Sequence, residues 1–358
     1  MEQVRYHSLR KEMRPIKART QLVISLCVAS VLVSTAVSQK VATSSMQFLK
    51  VMPCARATAL GDAYTALASG AEAVFWNPSG VALVRNPEFS TTYIVWIFDA
   101  RQGAFSYATP LGDIGALGVQ IQYVDYGKFE EAVLYAPDIK SLPYPGLTGR
   151  EFHPYSYLVG VTYAKSLTER FSTGLTFKFA HESLYDQSSV TVTDVSKGID
   201  EQVNTYGNAY LFDFGMRYNT GFRSIQVAAA VQNFGPDIKY ALEKNHGPML
   251  FRVGATADLL GPNSLLLPLE DSRLGVAFDL FQPNDYNQQA HMGMEYEYAH
   301  VLALRVGYKY NYDSEGMTFG VGLRQTFSGM KIVLDYSYGS LGTYLGGAHR
   351  LSLGVGLL

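Results

Sequence analysis

The chain has 358 residues, 47% hydrophobic and only 17% charged, with 29 Lys and Arg against 31 Asp and Glu. A formal net charge of −2 supplies no basic surface for nucleic acid, and two cysteines cannot make a disulfide framework. The aromatic load is distinctive: 25 Tyr and 19 Phe suit a protein whose residues sit half in an apolar phase and half in water.

In chain order, residues 1–38 read as an export signal. Arg5, Arg10, Lys11, Arg14, Lys17 and Arg19 form a basic leader, an apolar run covers 22–37, and Ala36-Val37-Ser38 is a small-x-small cleavage site. The alternative is an uncleaved anchor, for which the apolar run is short. Cys27 as a lipid attachment site is disfavoured by the bulky Leu26 before it. Residues 1–38 hold six basic and two acidic side chains, so the remainder has 23 Lys and Arg against 29 Asp and Glu, a net charge of −6. Cys54 is then the sole cysteine.

Residues 39–52 are mixed and read as extended. The stretch 55–83, ARATALGDAYTALASGAEAVFWNPSGVAL, is built of small side chains and lacks strand periodicity. Asn77 before Pro78 predicts a short helical turn over 78–83, because Asn accepts from free N–H groups and Pro has none to lose. A helix over 60–75 is weakened by Gly61 and Gly70.

From residue 87 the pattern changes to period two. Segments 88–98, 103–110, 116–126, 155–165, 171–182 and 209–219 alternate apolar or aromatic residues with polar ones, as does the run from Ile225 to Gln232. The second half repeats this through Phe251, Leu274, Met292, Leu302, Met317, Ile332 and Leu351, each opening a strand whose other face carries charge or glycine. About fourteen strands of roughly ten residues, the length of a tilted membrane-crossing strand, predict an all-β transmembrane barrel of the outer-membrane type. A soluble sandwich would place its aromatic face in a thin core. The connections favour the barrel. Those after even-numbered strands are mostly brief, and those after odd-numbered ones are mostly long, at 127–154, 184–208, 234–248 and 339–347. The first odd connection, 99–101, is short and the even one at 261–271 is long.

The inward charges, among them Asp213, Arg252, Asp279, Glu295, Arg305 and Asp335, alternate in sign from strand to strand, which predicts mutual pairing over a ligand-specific field. Histidines are scattered without metal-ligand spacing, and no Asp/His/Ser grouping stands out. No catalytic, cofactor or metal site is therefore predicted, and no enzyme activity. The loop 128–154 carries Tyr135, Pro143, Tyr144 and Pro145, a composition suited to partner recognition, to a lid, or to a passive loop.

Ala59-Leu60-Gly61-Asp62-Ala63-Tyr64 and Ala73-Val74-Phe75-Trp76-Asn77-Pro78-Ser79-Gly80-Val81-Ala82 resemble the PorV/PorQ family of outer-membrane proteins, related to the FadL long-chain fatty-acid transporters. Asn208–Asn219, with its D-x-G core at Asp213 and Gly215, and Val231-Gln232-Asn233-Phe234-Gly235 are similar to family segments too. The resemblance implies that Leu60, Gly61, Ala63, Trp76, Asn77, Pro78 and Gly80 belong to a plug on the periplasmic side of the lumen. It implies a division into signal (1–38), plug segment (39–86) and barrel (87–358). Small residues at Ala59, Gly61, Ala63, Ala66, Ala68, Gly70, Ala71 and Ala73 would let the plug fit, with Trp76 wedged against the wall. The chain departs from the family in ending on Leu357-Leu358 where an aromatic is usual, and in its minimal first long-side loop. The function implied is that of an accessory or shuttle in type IX secretion, with outer-membrane lipid, a translocon and exported proteins as partners. The alternative implied is a FadL-like transporter of hydrophobic small molecules.

Overall fold

A computed structural model describes residues 43–132, 147–194, 199–240 and 243–357. Its strands are β1 (Glu88–Val95), β2 (Arg101–Pro110), β3 (Ala116–Asp125), β4 (Phe129–Ala132), β5 (Leu147–Phe152), β6 (Tyr155–Ser166), β7 (Phe171–Ser183), β8 (Ser189–Asp194), β9 (Ile199–Asn204) and β10 (Tyr206–Asn219). They continue with β11 (Gln226–Phe234), β12 (Ile238–Tyr240), β13 (Glu243–Asn245), β14 (Leu250–Leu260), β15 (Ser272–Pro283) and β16 (Gln289–Tyr298). The last four are β17 (Leu302–Tyr310), β18 (Met317–Phe327), β19 (Met330–Ser340) and β20 (Gly347–Leu357).

Fourteen of these close a barrel in the order β1-β2-β3-β6-β7-β10-β11-β14-β15-β16-β17-β18-β19-β20, every neighbour antiparallel. The seam pairs β1 with β20 from Glu88 opposite Gly356 to Val95 opposite His349, so no edge is left open. The remaining six strands form three hairpins, β4–β5, β8–β9 and β12–β13, inside three of the long connections. Sequence patterning reads those stretches as loops, because short polar strands carry no apolar alternation. The short first connection is a tight turn over Ile97–Asp99, with Phe98 and Asp99 both at positive φ.

Period two sorts the side chains, but inside out relative to a soluble protein. Phe105, Phe177, Tyr210, Met292 and Leu304 point outward and stay exposed, whereas Gln120, Lys178, Asp213 and Arg252 point inward and are buried. An apolar exterior over a polar interior is the arrangement a bilayer requires of a closed barrel.

Candidate functional site: the filled lumen

The lumen holds the chain's own N-terminal segment, which runs through it from the end bearing the long connections to the end bearing the short turns. At the long-loop end, the Ser45 N–H donates to the His246 carbonyl (3.0 Å). Met46, Phe48 and Leu49 are buried against Val124, Leu158, Ala180, Ala209, Leu211 and Ile238, all near the long-loop ends of their elements. Asp285, in the turn between β15 and β16, accepts from Ser44, from Gln47 Nε2 (3.2 Å) and from Lys50 Nζ (2.5 Å). Burial pushes the Asp285 carboxyl up, but these three donors outweigh it and hold the group below its ordinary value. At the opposite end Gly70 lies against the Glu88 side chain at the start of β1, and the chain passes Leu83 into the barrel.

Between these ends the segment is folded, though without a long helix. Helices form only at Ala55–Ala59 and Ala73–Trp76, with 3-10 turns at Gln47–Lys50 and Pro78–Leu83. The turn at Pro78–Leu83 has the residues predicted for it. The extended reading of 39–52 misses the turn at Gln47–Lys50. The helix over 60–75, weakened in the sequence by Gly61 and Gly70, forms only in its last turn. Gly61, Asp62 and Gly70 sit at φ of 65°, 66° and 72°, in the left-handed region, so the chain is broken at the start of that stretch and again within it.

The plug and wall meet through missing side chains. A Cβ on wall residue Gly307 would lie 2.0 Å from the Gly61 nitrogen, and one on Gly293 would lie 2.5 Å from the Leu60 carbonyl. Gly61 itself passes so near β17 that its own Cβ would be 2.7 Å from the Tyr308 nitrogen. Likewise Gly174 and Gly215 make room for the Pro78-Ser79 backbone and the Asn77 amide, at 2.5 and 2.1 Å from an added Cβ. Gly80 lies against the Ala68 carbonyl of the segment itself, and Ala63 is fully buried.

Polar groups complete the fit. Asn77 Oδ1 accepts from the Ser79 N–H (3.1 Å), while its Nδ2 donates to the carbonyls of Thr65 (3.0 Å) and Met216 (3.3 Å). The residue therefore caps the turn, as its position before Pro78 predicts, and also ties it to β10. The wall carboxylate of Asp279 accepts from the N–H groups of Tyr64 (3.1 Å) and Thr65 (2.9 Å) and from the Thr65 hydroxyl (2.6 Å). Trp76 is fully buried, but mainly within the segment: its Nε1 donates to the Pro53 carbonyl (2.9 Å) and its ring meets Tyr64 edge-on at 5.6 Å. Its link to the wall is the Arg252 guanidinium, 5.1 Å from its ring centre and 4.1 Å from that of Phe281.

Charges interlock in the same way. Glu295 takes Arg56 of the segment (2.7 Å) and wall residue Arg305 (2.6 Å), and Arg305 also reaches Asp335 (2.6 Å). Asp62 pairs with Lys309 (2.5 Å), and Lys178 with Asp213 (2.7 Å). Of the inward charges read from the sequence, Glu295, Arg305 and Asp335 are thus mutual partners and Asp213 takes Lys178, whereas Asp279 is met by donors of the segment and Arg252 by aromatic rings. A polar cavity of about 220 Å³ remains towards the short-turn end, among Arg56, Glu72, Ser90, Arg324 and Asp335. Among the described residues no set of three His, Cys, Asp or Glu side chains gathers as a metal site.

Leu60, Gly61, Ala63, Trp76, Asn77, Pro78 and Gly80 are all in the lumenal segment. Tyr135, Pro143, Tyr144 and Pro145 lie outside the described residues. Sequence reasoning gave no role to Tyr64, which stands in the quoted motif, and missed Thr65, Arg56 and the Met46–Leu49 turn, all packed in the lumen. It also missed that wall glycines receive the segment, although their recurrence on inward faces was a visible signal.

The family model for the type IX secretion system protein PorV matches residues 34–281, and the chain belongs to that family. A search of curated proteins returns no match. Among solved structures the CymD monoaromatic hydrocarbon channel aligns with a TM-score of 0.51 at 10% identity, covering 86% of this chain and 97% of its own. The Pseudomonas putida toluene transporter TodX gives a TM-score of 0.49 at 11% identity (83% and 96% covered). A Pseudomonas aeruginosa FadL homologue gives 0.47 at 11% (85% and 98%). At such identities the likeness is one of fold alone, that of a closed β-barrel.

Proposed function

We propose that this PorV-family outer-membrane barrel is a non-enzymatic accessory or shuttle in protein secretion to the cell surface, of the type IX kind. Residues 1–38 act as a cleaved export signal, 39–86 as the plug and 87–358 as the barrel. Its partners are outer-membrane lipid, a secretion translocon and exported proteins, with Tyr135, Pro143, Tyr144 and Pro145 in the contact loop. The observation that supports this reading best is the filled lumen. A segment fixed at the mouth by Asp285, in the middle by Asp279 and Glu295, and near the base by Asn77 leaves surfaces and loops to meet partners. The test is deletion of the gene: loss of exported proteins from surface and medium is expected, together with co-purification of translocon subunits with the tagged barrel. An unchanged surface and secreted proteome would refute the reading.

The second reading, a transporter of hydrophobic small molecules, draws on the apolar cluster that Met46, Phe48 and Leu49 fill inside the mouth. Displacing that turn would uncover an apolar site within the barrel. Reconstituted protein that takes up a labelled fatty acid would support it, and absence of both uptake and binding would remove it.

A further inference from the structure

The outward face of the wall is indented between β14 and β18. Ala255, Ala257 and Val276 form a shallow floor, and the larger Phe278, Met292 and Tyr308 stand around it. The volume is about 620 Å³, within the range of sites for small ligands. Ile225, in the short turn between β10 and β11, closes the lower end.

Three observations restrict what fills it. First, β14, β15, β16 and β17 are paired in continuous register here, through Ala257 opposite Val276, Val276 opposite Met294 and Met294 opposite Val306. No strand edge is free, so an added β-strand has nothing to pair with. Second, the floor is carbon only, and the neighbouring Thr256 hydroxyl already donates to the Val276 carbonyl (2.8 Å). The occupant must therefore be apolar along its length. Third, the lower end leads to the anomalously long short-side turn 261–271. There Leu266 and Leu267 are 67% and 60% exposed. This turn is built, not loose: the Leu265 N–H donates to the Asp258 carbonyl (2.8 Å), the Leu266 N–H to the Leu259 carbonyl (3.1 Å) and the Ser264 hydroxyl to the Leu267 carbonyl (2.6 Å). Arg223, two residues before Ile225, is exposed and bonded through Nη1 to the Ser264 carbonyl (2.9 Å). An apolar trough thus ends near exposed leucines and the Arg223 cation held to Ser264.

We propose that this trough binds one phospholipid of the leaflet nearest the short turns, an acyl chain lying over Ala255, Ala257 and Val276 and its phosphate meeting Arg223. A cation beside an apolar wall is what the phosphate of a lipid on a hydrocarbon tail requires. The site needs only the membrane-spanning fold and stands whether the barrel serves secretion or transport.

The test uses the full-length protein purified in detergent, with bound lipid counted by native mass spectrometry while dioleoyl phosphatidylethanolamine or phosphate-free dioleoylglycerol is titrated in. Ala257→Trp and Val276→Trp fill the trough and are expected to weaken phosphatidylethanolamine binding about tenfold, while Val159→Trp, outward on β6, leaves it unchanged. Arg223→Ala, on an exposed turn that leaves the wall intact, is expected to weaken phosphatidylethanolamine about fivefold and dioleoylglycerol not at all. Equal binding by Ala257→Trp, Val276→Trp and the parent would overturn the site. An Arg223→Ala variant that binds both lipids like the parent would overturn the phospholipid assignment.

Discussion

Asn77 and Gly215 form a pair whose coupling can be worked from the structure. In Asn77→Ala the cap to the Ser79 N–H is lost, a loss of about 1 kcal/mol, and the buried Thr65 carbonyl loses its donor at a cost of about 1–3 kcal/mol. The lumenal segment should therefore be loosened by about 2–4 kcal/mol. Gly215→Ala fails for the opposite reason. Its Cβ would sit 2.1 Å from Asn77 Oδ1, and such overpacking costs about 1–3 kcal/mol. Removing the amide also removes the closest clash, leaving the Pro78 ring at 2.9 Å as the next obstacle. The double variant should then be less damaged than the sum of the singles, by about 1 kcal/mol. Cys54 supplies the assay, because it is buried in the segment and can react with a maleimide only when the segment opens. Asn77→Ala should raise its labelling rate roughly 30- to 700-fold, the equivalent of that loosening. Effects of the two substitutions that simply multiply would refute the coupling, and unchanged labelling in Asn77→Ala would show that the amide does not hold the plug.

Two further outcomes follow from the charges. Arg305→Ala leaves Glu295 and Asp335 without their shared wall partner and should cost about 3–5 kcal/mol in guanidinium unfolding of the micelle-bound protein, with Arg305→Met milder. Equal midpoints for Arg305→Ala and the parent would contradict that. At the mouth, Asp285 has a carboxyl held below the unfolded value of about 3.9, so its stabilising effect is complete above that value and is lost as pH falls through the lower folded value. Hydrogen exchange over residues 44–50 should thus be slow and flat from neutral pH down to about pH 4 once corrected for intrinsic rates, and rise below it. Asp285→Asn should exchange fast throughout, and a pH step that survives in it would assign the effect elsewhere.

The barrel was legible because its signal is repeated fourteen times and physically redundant: an outward residue such as Tyr210 and an inward one such as Asp213 obey one rule along every strand. The Asn77-Pro78 turn was legible because capping is local. The interior was not, for two reasons. The chain reverses at Gly61, Asp62 and Gly70, with Gly61 against the β17 backbone and Gly70 against the Glu88 side chain, contacts that the helical propensity of the intervening alanines does not encode. Partners such as Thr65 and Asp279 lie 214 residues apart, and period-two patterning says which face a residue takes but not what stands opposite. The trough was hidden for a related reason, since Ala255 and Ala257 satisfy the outward apolar rule as well as larger residues do. Only the long turn at 261–271 registered beforehand, as an exception to the rule of short turns.

The two functional readings part on whether the lumenal segment must move. Transport through the barrel requires it to leave, against the Asp285 and Asp279 hydrogen bonds, the Glu295 ion pairs and the glycine contacts at once. Service to a secretion partner through loops and outer wall requires no such movement. Thr58 and Ser337 allow the difference to be measured, because their hydroxyl oxygens already stand 2.8 Å apart between the segment and β19. Thr58→Cys with Ser337→Cys, in a Cys54→Ser background that removes the nearby thiol, should form a disulfide that locks the segment to the wall, given the short reach such a bond needs. Oxidised protein is expected to support surface export as well as reduced protein does. Export that fails only in the oxidised state, and returns on reduction, would mean that the segment moves during the working cycle. Hydrophobic uptake that switches with the same bond would then establish the barrel as a conduit.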